Sequence, residues 1–213
     1  FGGDRNTLTH SGNVIENNKF WNFNTTSRTN TSAIAVKGCG DRVVHNEVVG
    51  SPHTALVMGG NDNIVEYNEF TNNLIDGAED AGVFYGGRNL SEQGNVYRCN
   101  YFHDNACNSI GVIYFDDGMS GNTVDTNVFE NTGTGVFVHG GVGTEIVNNL
   151  FIGGTGNGAG FSSASNSWKM ETATSMAANT LLWNLKQFPY ESKAWQTAYQ
   201  NVLKYLGSDE DPI

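Results

Sequence analysis

Short apolar clusters alternate with polar turn residues along the first 160 positions, and one pattern recurs six times. Each copy begins with a polar residue and continues with two or three strand-forming residues, then has asparagine in sixth place and a bulky apolar residue in eighth. The copies span 13–20, 41–48, 63–70, 95–102, 122–129 and 144–151. The sixth-place residues are Asn18, Asn46, Asn68, Asn100, Asn127 and Asn149, so the period is 22 to 32 residues.

A second set of apolar segments lies between these copies and predicts a further strand in each repeat. Its members span 33–36, 55–58, 82–85, 111–114 and 135–138. Units of this length cannot bury a face alone, so consecutive units must stack. Parallel stacking places equivalent positions about 4.8 Å apart. The recurring asparagines would then form an internal ladder, in which each side chain bonds the turn backbone and the next asparagine.

The repeat therefore predicts an all-β fold, a right-handed parallel β-helix (solenoid) of about six coils over residues 1–160. A leucine-rich repeat would have leucine at most apolar positions, whereas valine, phenylalanine, tyrosine and isoleucine dominate here. An antiparallel sandwich would not require asparagine in register.

The pattern changes after Gly160. Residues 168–187 and 192–206 have helical character, Pro189 separates them, and Ser165 to Ser167 offer N-caps. We expect a C-terminal two-helix segment over 161–213, a helical appendage or insertion packed on the solenoid. Its simplest role is to shield the last coil from edge pairing.

Composition supports this fold and narrows the partners. The chain has 27 Gly and 28 Asn, which indicates many tight turns. A net charge of -11 disfavours nucleic acid and anionic membrane as partners. No apolar stretch approaches the roughly 20 residues of a membrane-spanning helix. We also predict no cofactor.

Three sequons and three cysteines bear on the compartment. The sequons, which would suit a secreted glycoprotein, begin at Asn24, Asn30 and Asn89. The cysteines form no metal motif and leave open one disulfide with a free thiol, or three thiols: Cys39, Cys99 and Cys107. The chain opens without a signal peptide, so we expect a processed or truncated start. We predict a secreted, extracellular protein.

Polar residues that interrupt the repeat are the candidates for chemistry. When the segments of the second set are aligned, His53 and Asp80 occupy the same position (column) just before the strand. Arg88 stands beside Asp117 after it, with His139 close by. Glycosidases use two carboxyl groups roughly 5–10 Å apart. The catalytic candidates are therefore Asp80, Asp116 and Asp117, and the substrate-binding candidates are His53, Arg88, His139 and Tyr114.

Other interpretations of these residues stay open. Asp80 precedes its strand whereas Asp116 follows, and an extended chain would separate them by more than roughly 20 Å. The site would then be local to either end, unless the chain curls tightly. Asp80 could also be a turn residue, Asp116 to Gly118 an ordinary turn, and Tyr114 part of the core. No metal site is predicted, although Asp116 and Asp117 hint weakly at calcium.

Several stretches resemble a family of right-handed parallel β-helix repeat proteins. They span 51–55, 80–88, 94–103, 111–118 and 138–141, and the segment 188–203 resembles a helical insertion of that family. Some members resemble glycoside hydrolases of the fucosidase and xylanase type. This resemblance implies an enzyme that acts on polysaccharide through aspartates, here Asp80, Asp116 and Asp117.

The alternative hypothesis is a protein without catalytic activity. It would be a structural subunit of an extracellular, glycosylated fibre, or a glycan-binding β-helix. Open β-helix ends would allow copies of the chain to associate end to end.

Overall fold

The computed structural model describes residues 2–76, 80–106, 110–162 and 181–200. In these residues three parallel sheets contain six strands each, and every coil contributes one strand to each sheet. The predicted parallel β-helix of about six coils is therefore confirmed. Its right-handed sense is the one that parallel crossover connections adopt.

The three sheets run along the length of the solenoid. The first contains β1 (Val14–Glu16), β4 (Arg42–Val44), β7 (Ile64–Glu66), β10 (Val96–Arg98), β13 (Thr123–Asp125) and β16 (Glu145–Val147). The second contains β2 (Lys19–Trp21), β5 (Glu47–Val49), β8 (Glu69–Thr71), β11 (Tyr101–His103), β14 (Val128–Glu130) and β17 (Leu150–Ile152). The third contains β3 (Ile34–Val36), β6 (Leu56–Met58), β9 (Phe84–Gly87), β12 (Ile113–Asp116), β15 (Val136–His139) and β18 (Ala159–Ser162).

The recurring eight-residue pattern folds as two strands rather than one. The residue in fifth place has a positive φ, between 54° and 57°, and directs the chain from the first sheet into the second. The residues at this corner are Asn17, His45, Tyr67, Cys99, Thr126 and Asn148. Tyrosine and threonine favour strands, so the sequence gives no turn signal at this corner. The ladder asparagine that follows holds this left-handed backbone in place.

The sixth-place asparagines form the predicted ladder. Asn68 donates from Nδ2 to Oδ1 of Asn100 at 3.0 Å, and Asn100 does the same to Asn127. Two shorter ladders, which the sequence did not predict, occupy the other corners. Nδ2–Oδ1 distances of 3.1 Å join their members, which are Asn63, Asn95 and Asn122 in one and Asn73 and Asn105 in the other.

The interior contains a column of stacked phenylalanines on the second sheet. Phe102 lies between Phe70 and Phe129, with ring centroids 5.4 and 5.0 Å away. Phe129 stacks in turn on Phe151 at 5.0 Å. The eighth place of the sequence pattern is therefore the inward position that fills the core.

Within the described residues two short helices, α1 (Leu181–Lys186) and α2 (Lys193–Ala198), pack on the coils. In α2 the buried Trp195 donates from Nε1 to the carbonyl of Arg5 at 3.0 Å, which ties the helix to the N-terminal segment. The rest of the predicted helical ranges, 168–180 and 201–206, lies outside the described residues. The proposed division at residue 160 stays a prediction. Neither described helix has the length and hydropathy of a membrane span.

Candidate functional site

An aromatic stripe lies on the outer face of the third sheet. Side chains alternate along these strands, so Phe84 and Ile113 point into the core while Tyr85 and Tyr114 point out. Ring centroids of Tyr85 and Tyr114 are 5.4 Å apart, and Phe137 follows 5.7 Å from Tyr114. Tyr85 and Phe137 are partly exposed, whereas Tyr114 is only 4% exposed.

The carboxylate of Asp116 is buried at the end of β12, where it organises this stripe. Asp116 is 2% exposed. It accepts hydrogen bonds from Oη of Tyr114 at 2.6 Å and from Oη of Tyr85 at 2.8 Å. Nδ1 of His139 lies 3.2 Å from the same carboxylate. Asp116 is therefore an anchor that fixes both tyrosine hydroxyls.

Hydrogen bonds from neighbouring side chains keep the carboxyl group of Asp116 ionised. Burial alone would raise the pKa of this carboxyl, but the bonds from Tyr114, Tyr85 and His139 and the charge of Arg88 outweigh it and lower the pKa. Burial and the neighbouring Asp116 in turn raise the pKa of both tyrosines. Asp116 is therefore the ionised acceptor, and Tyr85 and Tyr114 are neutral donors.

Arg88 and Asp117 follow the ends of neighbouring strands and form an ion pair. Nε of Arg88 lies 2.7 Å from Oδ2 of Asp117 and 4.0 Å from Oδ2 of Asp116. Nδ1 of His139 lies 3.4 Å from Oδ1 of Asp117. The predicted neighbourhood of these residues is confirmed. Arg88 and Asp117 both have positive φ, 60° and 35°, as do the corner residues of the coils.

Aligning the predicted strand segments 111–114 and 135–138 places His139 in the same column as Phe115, and this prediction is wrong by one residue. Tyr114 pairs with Phe137 and Phe115 with Val138, so His139 stands next to Asp116 rather than next to Phe115. The run Gly-Val-Phe-Val can be aligned in either register. A slip of one residue exchanges the two faces of a strand, and packing Val136 and Val138 into the core settles the choice.

A pocket of about 320 Å³ opens beside the stripe. It is lined by Asn30, Thr31, His53, Thr54, Val57, Asp80, Tyr85 and Arg88. The pairing of Leu56 with Phe84 shifts His53 and Asp80 by one place from the predicted column, yet both line this pocket. Burial lowers the pKa of His53 and the charge of Asp80 opposes that effect. The Nδ1 atom of His53 is buried and has no hydrogen-bond partner among the described residues.

The two local sites that the sequence left as alternatives form one continuous surface. The ring of Tyr85 lines the pocket with Asp80, and its hydroxyl reaches Asp116. Arg88 likewise lines the pocket and pairs with Asp117. Tyr85 and Arg88 therefore lie between Asp80 on one side and the Asp116–Asp117 pair on the other.

The three sequons differ in surroundings. Asn30 is exposed and lines the pocket. The Nδ2 atom of Asn24 is buried. Oδ1 of Asn89 accepts from the backbone N–H of Ser91 at 3.0 Å. Glycosylation stays a prediction at all three.

A second cluster of chemically active side chains escaped the sequence analysis. Among the described residues, two groups could hold a metal ion, and within each group one ligand atom per residue lies within 4.8 Å of the others. The groups are Asp116, Asp117 and His139, and His10, Cys39 and Asp62. The second has no spacing motif because its members come from three segments of the chain. Cys39 and Cys99 are free thiols, and Cys107 lies outside the described residues.

Acid should remove the stabilisation that Asp116 contributes. Its pKa is lowered from 3.8 in the folded state, so this contribution is fully present above pH 3.8 and is lost as the pH falls through the folded pKa. We expect the difference in unfolding free energy between wild type and Asp116→Asn to be constant near neutral pH and to shrink below pH 3.8. Urea titrations across this range measure it. A difference that stays constant in acid would contradict the ionised assignment.

Comparison with known proteins places these features in a family. Residues 4–182 match the family model described as NosD, periplasmic copper-binding protein. The matched span includes all six coils, the pocket and both clusters of donor side chains. Searches of curated proteins and of solved structures gave no significant match.

Proposed function

We propose that this chain, which belongs to the NosD family described as a periplasmic copper-binding protein, is an exported β-helix protein that binds and hydrolyses polysaccharide. The substrate would lie across the outer face of the third sheet. The observation that carries the proposal is the 320 Å³ pocket where an aromatic ring, a carboxylate, a guanidinium and an imidazole converge. Its size suits one or two sugar units, since ligand pockets hold roughly 300–1,000 Å³.

The partly exposed ring of Tyr85 supplies the apolar surface for a sugar. A pyranose presents C–H groups on one face, which pack on an aromatic ring. His53, Asp80 and Arg88 offer donors and acceptors around the ring for the sugar hydroxyls. The net charge of -11 favours a neutral polysaccharide over a polyuronate.

Exposure divides the three aspartates into different roles. Asp80 is exposed and the side chain of Asp117 is 25% exposed, so both can reach a substrate. Asp116 is 2% exposed, and its oxygens already accept the tyrosine hydroxyls. We assign catalysis to Asp80 and Asp117, and treat Asp116 as a positioning residue that acts through Tyr85.

Glycoside hydrolysis needs one carboxyl group to protonate the leaving oxygen and one carboxylate to act as base or nucleophile. Arg88 pairs with the carboxylate form of Asp117, which suits the second role. Asp80, across Arg88 in the pocket, takes the role of acid. As base, Asp117 would take a proton from the attacking water while Asp80 regains its proton from solvent. As nucleophile, Asp117 would form a glycosyl ester, which water hydrolyses while Asp80 takes the proton of that water.

Copper binding, the property named in the family description, does not fit this surface. Arg88 already places a cation 2.7 Å from Asp117. Both carboxylate oxygens of Asp116 already accept hydrogen bonds from tyrosine hydroxyls. The donor set is rich in oxygen, whereas copper prefers nitrogen and sulfur. The thiol and imidazole of the other cluster suit copper better.

Asp80→Asn or Asp117→Asn should reduce kcat/KM on a susceptible neutral polysaccharide by about 10²–10⁴-fold, the usual contribution of a general acid or base. The assay is reducing-sugar release from a panel of neutral and acidic polysaccharides. Asp125→Asn, on the outer face of the first sheet, is the matched control and should keep wild-type activity. Full activity in both Asp80→Asn and Asp117→Asn would contradict the assignment of the catalytic residues. A wild-type protein that neither binds nor cleaves any glycan of the panel would refute the proposed function.

A second candidate is a non-catalytic glycan-binding protein or fibre subunit. Large apolar side chains are exposed on the outermost strands of the second sheet, Trp21 on β2 at 68% and Leu150 on β17 at 53%. Such surfaces favour self-association. Retention on a glycan gel without released sugar would support binding alone. Monomers at all concentrations in light scattering would count against the fibre.

A further inference from the structure

The cluster of His10, Cys39 and Asp62 shares no residue with the glycan pocket. Nε2 of His10 lies 3.6 Å from Oδ2 of Asp62, and Sγ of Cys39 completes a set within 4.8 Å. Cys39 is fully buried, whereas the side chain of His10 is 60% exposed. The cluster therefore has a protected sulfur on one side and an opening to solvent on the other.

The fold brings these residues together through the N-terminal segment. Cys39 donates its backbone N–H to the carbonyl of Gly2 at 3.1 Å and accepts one from Ser11 at 2.8 Å. His10 lies over Gly40, where an added Cβ would sit 2.3 Å from Cγ of the imidazole. Gly40 also has a φ of 70°. A glycine is therefore needed here for the imidazole to reach the thiol.

Distant residues hold the other ligands in place. Arg5 donates from Nε to Oδ1 of Asn61 at 2.7 Å, which fixes the N-terminal segment against the coil that carries Asp62. Tyr199 donates its hydroxyl to Oδ1 of Asp62 at 2.9 Å. That bond leaves Oδ2 facing His10. Metal sites commonly use such an outer hydrogen bond to orient a ligating carboxylate.

We propose that His10, Cys39 and Asp62 are the residues of this chain that would hold the copper ion named in the family description, through Nε2, Sγ and Oδ2. Thiolate selects copper(I) and zinc(II), and imidazole is a ligand for both ions, so zinc is the competing occupant of the site. Three protein ligands leave a fourth position open on the exposed side, where the ion enters. Binding replaces the thiol proton of Cys39 by the metal and releases it to solvent. The site goes beyond the proposed glycan chemistry and does not depend on it.

Metal titration of the full chain tests the assignment. Zinc(II) and buffered copper(I) are followed by calorimetry and equilibrium dialysis, and cobalt(II) by its thiolate charge-transfer absorption. Wild type should bind one equivalent. Cys39→Ser should abolish the cobalt charge-transfer band, and His10→Ala should weaken binding by more than the roughly 10–100-fold that an outer hydrogen-bond partner contributes. Tyr199→Phe should weaken it less, because the ligand itself remains.

Matched variants separate this site from the rest of the chain. Cys99→Ser removes another free thiol and His139→Ala removes the imidazole of the aspartate cluster, and both should bind like wild type. His10 is exposed, so His10→Ala decides the result if Cys39→Ser fails to fold. Absence of binding by wild type, wild-type affinity in His10→Ala, or loss of binding in His139→Ala would each overturn the proposal. Polysaccharide hydrolysis should be unaffected in His10→Ala, so failure of one function is distinguishable from failure of the other.

Discussion

Asn68→Ala is expected to lower the free energy of unfolding by about 3–5 kcal/mol, since each buried polar group left unsatisfied costs roughly 1–3 kcal/mol. Nδ2 of Asn68 donates to the carbonyls of Val43 and Glu66 at 2.9 Å and to Asn100 at 3.0 Å. Its Oδ1 accepts from the backbone N–H of Asn46 at 2.8 Å and from the Asn46 side chain at 3.0 Å. Alanine leaves several of these groups buried and unpaired in the middle of the solenoid.

Urea denaturation followed by circular dichroism measures the effect as a shift of the midpoint at constant slope. Asn6→Ala is the matched control, because Asn6 is exposed and its side chain bonds Asp4 in the same turn. The control should change stability by no more than about 0.5 kcal/mol. Equal effects of the two substitutions would show that the ladder contributes little to stability.

Phe102→Ala should cost about 3–5 kcal/mol of unfolding free energy, the usual range for removing a buried aromatic ring. Phe102 is 0% exposed. Its ring lies between Phe70 and Phe129 and meets Phe84 edge-on with centroids 4.9 Å apart. The coils stacked on both sides prevent the surrounding side chains from moving into the space left by the ring, so a cavity should remain.

Two controls identify packing as the cause. Phe102→Leu keeps most of the volume and should cost less than half as much as Phe102→Ala. Tyr101→Ala removes the neighbouring ring, which points out and is 36% exposed, and should cost about 1 kcal/mol. The same denaturation assay compares all three. A loss in Tyr101→Ala as large as in Phe102→Ala would contradict the assignment of the core face.

The stacking of coils could be predicted because its cause is local and repeated. The side chains of Asn68 and its five equivalents form hydrogen bonds with backbone groups at the turn, and the stacking of coils brings these asparagines into one line. The corner at Tyr67 could not be predicted, because tyrosine is a strand former and only the three-sheet geometry requires its φ of 57°. The additional ladders at Asn63 and Asn73 depend on the same geometry.

The candidate site was only partly predictable. Arg88 and Asp117 were placed together correctly because they follow strands of equal register. His139 was displaced by one column, since a short apolar run does not show which of its faces is buried. Cys39 and His10 carried no signal, because their contact depends on how the N-terminal segment folds back over a turn.

The sequence by itself determined the parallel β-helix, its six coils and the line of asparagines, since these arise from hydrogen bonds and apolar positions that repeat along the chain. The tertiary structure alone decided which polar residues are reachable and which are buried. Asp116 and Asp117 are adjacent in sequence, yet the first lies beneath two tyrosine hydroxyls and the second faces solvent beside Arg88. Water exclusion depends on everything packed around a residue, and residues far apart in the chain supply that packing.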